Sequence, residues 1–299
     1  MRTARGIQYV NSEGRALDLT APPYTVVASD LLDWEWGCDT EETGGVGVRV
    51  AQFKRTDYSR EIELAVHADG KEDFAAAMNA LYETFGRDVA RTSPGRLSLE
   101  DGTYMECYVV ASKKTIWILE NRIATVVLKV MAPKPLWVKE MQFSYSANEG
   151  AVLLGGFDFQ SSGGDAGVDF QSGASGGFDF GSSDFVYELV NGEYGEAEFV
   201  MTIYGPVVNP RISIAGNQYG LGTSAHPLSV PSGGNVVIDS EAKTIMLNNG
   251  YGDVQNAYNM QVKEWDNFAP VPSAGVLVQS NCFFDMTLKV QRSEPTWIL

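Results

Sequence analysis

The sequence predicts a mainly β protein of two domains, and three observations carry that expectation. Runs that alternate apolar and polar residues recur along the chain, each closed by Gly, Pro or Asn. Only one stretch has helical spacing. Between Gly155 and Ser183 the composition shifts to Gly, Ser, Asp and Phe, which divides the chain. A length of 299 residues suits two domains of ordinary size. The expected organisation is an N-terminal domain over 1–150, a connecting segment over 151–185 and a C-terminal domain over 186–299. The first is an antiparallel, sandwich-like β domain with one helix, and the second is a β-sandwich without an evident helix.

In the first domain, Leu17 and Leu19 make a strand that stops at Pro22 and Pro23, and Tyr24 to Leu32 is a second candidate. Leu31 to Trp36 alternates imperfectly, and Thr40 to Gly47 reads as a loop. Arg60 to Val66 alternates cleanly, with Ile62, Leu64 and Val66 facing inward. The helix spans about Glu72 to Phe85, where Phe74, Ala77, Met78, Leu81 and Phe85 share a face. Glu72 and Asp73 suit its first turn, and Gly86 is expected to end it in the left-handed conformation. Asp101-Gly102 joins Arg96–Glu100 to Thr103–Val110, the strongest local signal for a hairpin. Strands at Thr115–Leu119 and Ile123–Met131 finish before Pro133 and Pro135, and residues 136–149 read as a connection.

The connecting tract repeats one phrase three times: Gly156-Phe157-Asp158-Phe159, Val168-Asp169-Phe170 and Gly177-Phe178-Asp179-Phe180. A flexible linker needs no aromatic at each repeat. Two readings stand: a loop pinned at intervals by Phe side chains, or an arm packed on a neighbouring subunit. The second makes Phe157, Phe159, Phe170, Phe178 and Phe180 the candidate interface residues. Beyond the tract, Glu196–Ile214 reads as two strands joined by a turn, with Phe199, Met201, Ile203, Ile212 and Ile214 inward. Further strands follow at Asn217–Tyr219, Asn235–Ser240, Lys243–Leu247, Gln261–Trp265, Gly275–Gln279 and Phe283–Arg292.

Charge and composition exclude several functions. A net charge of −16 argues against binding nucleic acid, which requires a positive footprint, and against an anionic membrane surface. Hydrophobic content of 44% is enough for real cores. No run approaches membrane-spanning length and no apolar leader follows Met1, so synthesis and folding in a cytosol are expected. Cys38, Cys107 and Cys282 lack metal spacing, and Cys107 and Cys282 read as buried thiols. His67 and His226 have no partner spaced for a triad or a metal site, and no sequence feature singles out a carboxylate pair. No enzyme activity and no cofactor are therefore expected. Gly44-Gly45-Val46-Gly47 is followed by no helix and is no dinucleotide loop. Ser162–Asp169 only echoes a calcium repeat, since its register is off and it does not continue. Asn209-Pro210-Arg211 matches part of the galectin His-x-Asn-Pro-Arg strand, but Val207 holds the His position and the Trp-Gly-x-Glu-x-Arg partner is absent.

The ordered motifs of the C-terminal half resemble a known family. They are Ile203-Tyr204-Gly205-Pro206 with Asn209-Pro210, Ile212-Ser213-Ile214, Asn235-Val236-Val237-Ile238-Asp239-Ser240, and Arg292-Ser293-Glu294-Pro295-Thr296-Trp297. With Gly155-Gly156-Phe157-Asp158-Phe159 before them, they resemble the distal tail proteins of long, non-contractile-tailed phages. The extra phrase copies between Phe159 and Phe178 depart from that pattern. The resemblance implies a ring-forming N-terminal domain, six copies around a channel, and a galectin-like C-terminal sandwich projecting outward. It implies a tail-tip hub that joins the tail tube to host-recognition proteins in the virion. DNA would pass the channel without being bound, and a hexamer bearing six times −16 would repel it if the charge lined the lumen. A closed ring needs two different faces per subunit, and exposed strand edges or the Phe tract are the candidates. The alternative function is a carbohydrate- or cell-wall-binding module of a phage tail.

Overall fold

The structure, a computed structural model, describes residues 6–55, 58–118, 120, 122–147, 187–192, 195–262, 266–273 and 276–296. It is mainly β, with antiparallel sheets and one α-helix among the described residues. The chain forms two compact units: Met1–Lys139 with Gln291–Leu299, and Glu140–Val290.

In the first unit the order is β1 (Ile7–Val10), β2 (Ala16–Asp18), β3 (Tyr24–Ser29), β4 (Trp36–Glu42), β5 (Val48–Arg55) and β6 (Ser59–His67). Then come α1 (Lys71–Arg91), β7 (Gly95–Leu99), β8 (Tyr104–Ile118), β9 (Ile123–Met131) and the start of β10 (Trp137–Tyr145). Strand β8 belongs to two sheets. Its first residues pair with β7, from Ser98↔Tyr104 to Gly95↔Cys107. The rest pairs with β9, from Tyr108↔Met131 to Ile118↔Ile123. One sheet therefore runs β2-β1-β7-β8 and the other β3-β6-β9-β8. The alternation in β6 buries Ile62, Leu64 and Val66, and β9 answers with Ala124, Val126, Leu128 and Val130. Each fully buried aliphatic side chain is worth about 1.5–3 kcal/mol. The Asp101-Gly102 turn forms as expected, with Gly102 at φ +80° and the Thr103 N–H donating to Asp101 Oδ1 at 3.1 Å.

Three expectations are corrected in this unit. Residues Thr115–Leu119 are not a separate strand: β8 runs unbroken to Ile118, absorbing two β-bulges. The stretch Thr40–Gly47 is only partly loop, because Thr40–Glu42 belongs to β4. Helix α1 does not stop at Gly86 but at Arg91, where Thr92 takes the left-handed conformation (φ 53°, ψ 37°) and the Ser93 N–H caps Asp88 O at 3.1 Å. The extra turn is held by Asp88. Its carboxyl is buried and accepts from the Tyr9 hydroxyl at 2.6 Å, the Ser12 N–H at 2.8 Å and the Ser12 hydroxyl at 2.6 Å. A carboxylate that the sequence alone would place in solvent therefore continues the buried face of Phe74, Ala77, Leu81 and Phe85.

The second unit begins within β10, so residues 136–149 are not merely a connection. Trp137 is buried in the first core and Tyr145 in the second. The strands that follow are β11 (Tyr187–Leu189), β12 (Glu198–Tyr204), β13 (Val207–Val208), β14 (Arg211–Ile214), β15 (Asn217–Gly220) and β16 (Ser229–Val230). Next are β17 (Asn235–Asp239), β18 (Thr244–Asn248), β19 (Val254–Asn256), β20 (Val276–Ser280) and β21 (Phe284–Arg292). A 3₁₀ turn covers Tyr258–Met260. One sheet includes the order β19-β18-β17-β12-β21, a second runs β11-β20-β14-β15, and β13 pairs with β16. The two strands expected over Glu196–Ile214 face each other across the core rather than pairing: β12 pairs with β17 and β21, and β14 with β15 and β20. Phe199, Met201 and Ile203 from β12 meet Ile212 and Ile214 from β14 in one core cluster. Of the run expected at Gln261–Trp265, Gln261 forms a single bridge with Leu221, and Lys263, Glu264 and Trp265 lie outside the described residues. Buried Asn267 fixes the end of β15: the Gly220 N–H donates to its Oδ1 at 2.7 Å and its Nδ2 donates to Gly220 O at 3.1 Å.

Candidate assembly surfaces

The five phenylalanines singled out in the tract, Phe157, Phe159, Phe170, Phe178 and Phe180, lie outside the described residues. The described residues offer other surfaces. Strands β4 and β5 form a hairpin that is a two-stranded sheet by itself. Its turn is Thr43–Gly47, with Gly47 at φ +107°. The pairing places Trp36 opposite Arg55, Cys38 opposite Phe53, Thr40 opposite Val50 and Glu42 opposite Val48, with the register shifting at Ala51. Opposed residues point to the same side of a sheet. One face of the hairpin is therefore Trp36, Cys38, Thr40, Phe53, Val50 and Val48, with Arg55 over the Trp36 ring at one end and Glu42 at the other. The other carries Asp39, Glu41, Arg49, Gln52 and Lys54, tied by a 2.8 Å ion pair from Lys54 to Asp39. The apolar face is open to water: Phe53 is 62% exposed and Val48 59%. An isolated two-stranded hairpin is marginal in water, and a hairpin with one apolar face normally lies against something.

A second apolar surface lies at the outer end of β8. Beyond Val109 the strand leaves the core, and Ile116, Trp117 and Ile118 are 49%, 64% and 44% exposed. The register with β9 puts Ile116 and Ile118 beside Thr125 and Ile123, and Lys113 beside Val127. This is the face of β9 away from its buried residues. Lys129 lies on it as well, opposite Ala111.

His67 ends strand β6 and is exposed, and His226 closes a tight turn with Thr223. Burial pushes the Cys107 thiol up to about 12, which makes it a packing residue rather than a nucleophile. Cys282 is buried too, and Cys38 is exposed. Among the described residues no cluster of three or more His, Cys, Asp or Glu is placed to hold a metal ion. No helix among them is long and apolar enough to cross a membrane. The Asn-Pro-Arg motif is structural: Asn209, at φ +51°, accepts the Leu228 N–H on Oδ1 at 2.9 Å and receives Asn281 Nδ2 on its carbonyl at 3.3 Å. The Asn209 side-chain oxygen is thereby taken up by a backbone N–H, and Val207, at the motif's His position, pairs with Val230.

Charge is unevenly divided. The second unit holds only four of the 22 basic residues, Arg211, Lys243, Lys263 and Lys289, but 17 of the 38 acidic ones. The first unit, with the other 18 basic residues and 21 acidic ones, is close to neutral. The net −16 therefore gives no reason to place a strongly negative lining on the first unit.

The β4–β5 hairpin lies outside the strands expected from the sequence, although Val48 and Val50 alternate and Phe53 rejoins their face past the single extra residue Ala51.

No family model matches the chain, and no curated protein matches it. Solved structures do. The Dit protein of phage SPP1, titled a paradigm of the hub adsorption apparatus in phages that infect Gram-positive bacteria, superimposes with a TM-score of 0.61 at 10% identity. That match covers 96% of this chain and 99% of the SPP1 chain. A chain of the phage P2 baseplate in its activated conformation with calcium gives 0.64 at 11% identity, covering 98% of this chain and all of that one. The strontium form of the same baseplate gives 0.64 at 12% identity, with the same coverage. The chain has the fold of these hub and baseplate proteins over essentially its whole length.

Proposed function

We propose that this protein is a structural component of a phage tail tip, a distal tail protein that acts without catalysis. Six copies form a ring at the end of a long, non-contractile tail, joining the tail tube to the proteins that carry host recognition. The observation that carries this reading is the whole-length fold match to a phage hub protein and to phage baseplate chains. Both units are matched, not one common β module. The surfaces support it: the first unit presents two unlike apolar faces, as a rotational ring requires. The second unit, with a galectin-like sandwich but its Asn209 committed to the fold, serves as a platform for neighbours. The channel of such a ring passes DNA without binding it, and the protein belongs to the virion rather than to a membrane.

Imaging of the concentrated protein by negative-stain electron microscopy tests this. Six-fold particles with a central hole are expected. Closed rings of another order would remove the hexamer. Solid, unsymmetrical particles at every concentration would remove the ring.

A further inference from the structure

The observations go further, to the contact that closes such a ring. Resting on the ring reading above, we infer that the apolar face of the β4–β5 hairpin of one copy lies on the outer end of the β8–β9 pair of the next copy.

The occupant is a second copy because the two surfaces on one chain complement each other. The hairpin presents Trp36, Phe53, Val50 and Val48 in a row, with Arg55 over Trp36 at one end and the carboxylate of Glu42 at the other. The β8–β9 surface presents Ile118, Ile116 and Val127 in a row that ends in Lys113 and Lys129. Apolar thus meets apolar, and Glu42 meets the lysines. Glu42, Lys113 and Lys129 have no ion-pair partner of their own among the described residues, whereas Asp39 and Lys54 on the hairpin's other face satisfy each other. The two surfaces differ, so the contact is heterologous: each copy gives a hairpin to one neighbour and receives one from the other. Such contacts make rings rather than two-fold dimers.

Cys38 makes the test specific. It lies on the apolar hairpin face opposite Phe53 and is the exposed one of the three cysteines, Cys107 and Cys282 being buried. The variants Ile116→Cys and Ile118→Cys are treated with a short bifunctional maleimide and run on a denaturing gel, with native mass measured on the same samples. The expected result is a ladder from two linked chains up to the ring size, abolished when Cys38→Ser is added. A hexamer by mass that gives no Cys38-dependent ladder overturns this contact and leaves the ring standing on other faces. A ladder that stops at two chains overturns the heterologous geometry. A strict monomer with no ladder at any concentration overturns the ring reading and this contact together. Charge exchange gives a second readout. Glu42→Lys and Lys113→Glu are each expected to raise the concentration for assembly about two- to fivefold, the scale of an exposed ion pair. The two together are expected to restore it. Lack of restoration counts against the pairing.

Discussion

Replacing Asp88 by Ala is expected to destabilise the first unit by about 2–5 kcal/mol, though the residue touches none of the proposed assembly surfaces. The magnitude follows from its three donors. The Tyr9 hydroxyl, buried with its ring, loses a 2.6 Å partner, and its alternative, the Cys107 carbonyl, is 3.5 Å away. A buried hydroxyl left in that state costs about 1–3 kcal/mol. The two bonds from Ser12 are lost as well, but Ser12 is exposed and water replaces part of them, so each adds about 0.5–1 kcal/mol. For a unit of this size each kcal/mol moves the melting temperature by about 2–4 °C. The lower-melting shift should appear in calorimetry, and in urea unfolding followed by the fluorescence of Trp137, which is buried in the same core. Asp88→Asn keeps the shape and one acceptor and should cost about 1 kcal/mol. If Asp88→Ala costs less than about 1 kcal/mol, the last turns of α1 are held by something other than this carboxyl, and the reason given for the helix passing Gly86 is wrong.

The remaining predictions are shorter. Gly95→Ala should destabilise the same region by about 1–3 kcal/mol, because a Cβ there runs into the Tyr9 hydroxyl and Asp88; unchanged urea unfolding would contradict that packing. Asn267→Ala should cost the second unit about 1–3 kcal/mol by leaving the buried Gly220 N–H unpaired, the Gly220 carbonyl keeping the Val262 N–H at 3.3 Å, and the loss should be visible as a shift of that unit's transition alone. Stability should fall at alkaline pH. Burial raises Cys107 from 9.0 to about 12 in the first unit and Tyr145 from 10.0 to about 12 in the second. The unfolded chain therefore releases these protons first: the Cys107 contribution is whole below about pH 9 and the Tyr145 contribution below about pH 10, and each is lost above that at about 1.4 kcal/mol per pH unit. A urea midpoint that stays flat from pH 8 to 11 would contradict the burial of both. Val50→Ser with Phe53→Ser should leave the melting temperature within about 1 °C, since both side chains are exposed, yet reduce assembly; a large loss of stability would mean the hairpin packs within its own chain. Changing Phe157, Phe159, Phe170, Phe178 and Phe180 to Ser tests the tract, and unchanged oligomer size and solubility would leave it a linker.

Much of the fold was legible because strands announce themselves when one face is buried. Arg60–Val66, Ile123–Met131, Phe199–Ile203 and the Asp101-Gly102 hairpin were readable from alternation and turn chemistry alone. The misreadings share a cause, which is that local rules do not register tertiary partners. Gly86 satisfies the rule for a helix end, but Asp88, Tyr9 and Ser12 together continue the helix, and their link spans 79 residues between Asp88 and Tyr9. Trp137, Met141, Phe143 and Tyr145 alternate, yet the lysine and glutamate between them mask a strand that passes from one core to another. Both strands of Glu196–Ile214 were legible, but their partners, β17 and β21 for β12 and β15 and β20 for β14, are set by the whole sandwich and by nothing within that stretch. The candidate surfaces were harder still, because an exposed Val48, Phe53 or Ile116 looks like core until the structure shows that no core covers it.

The most direct test of the central claim is the mass of the purified protein in solution, measured by light scattering across a wide range of concentration. The expected result is a species of six times the 32.6 kDa of one chain, or a monomer that converts to it as concentration rises. A mass that stays at one chain, or settles at two, would contradict the ring.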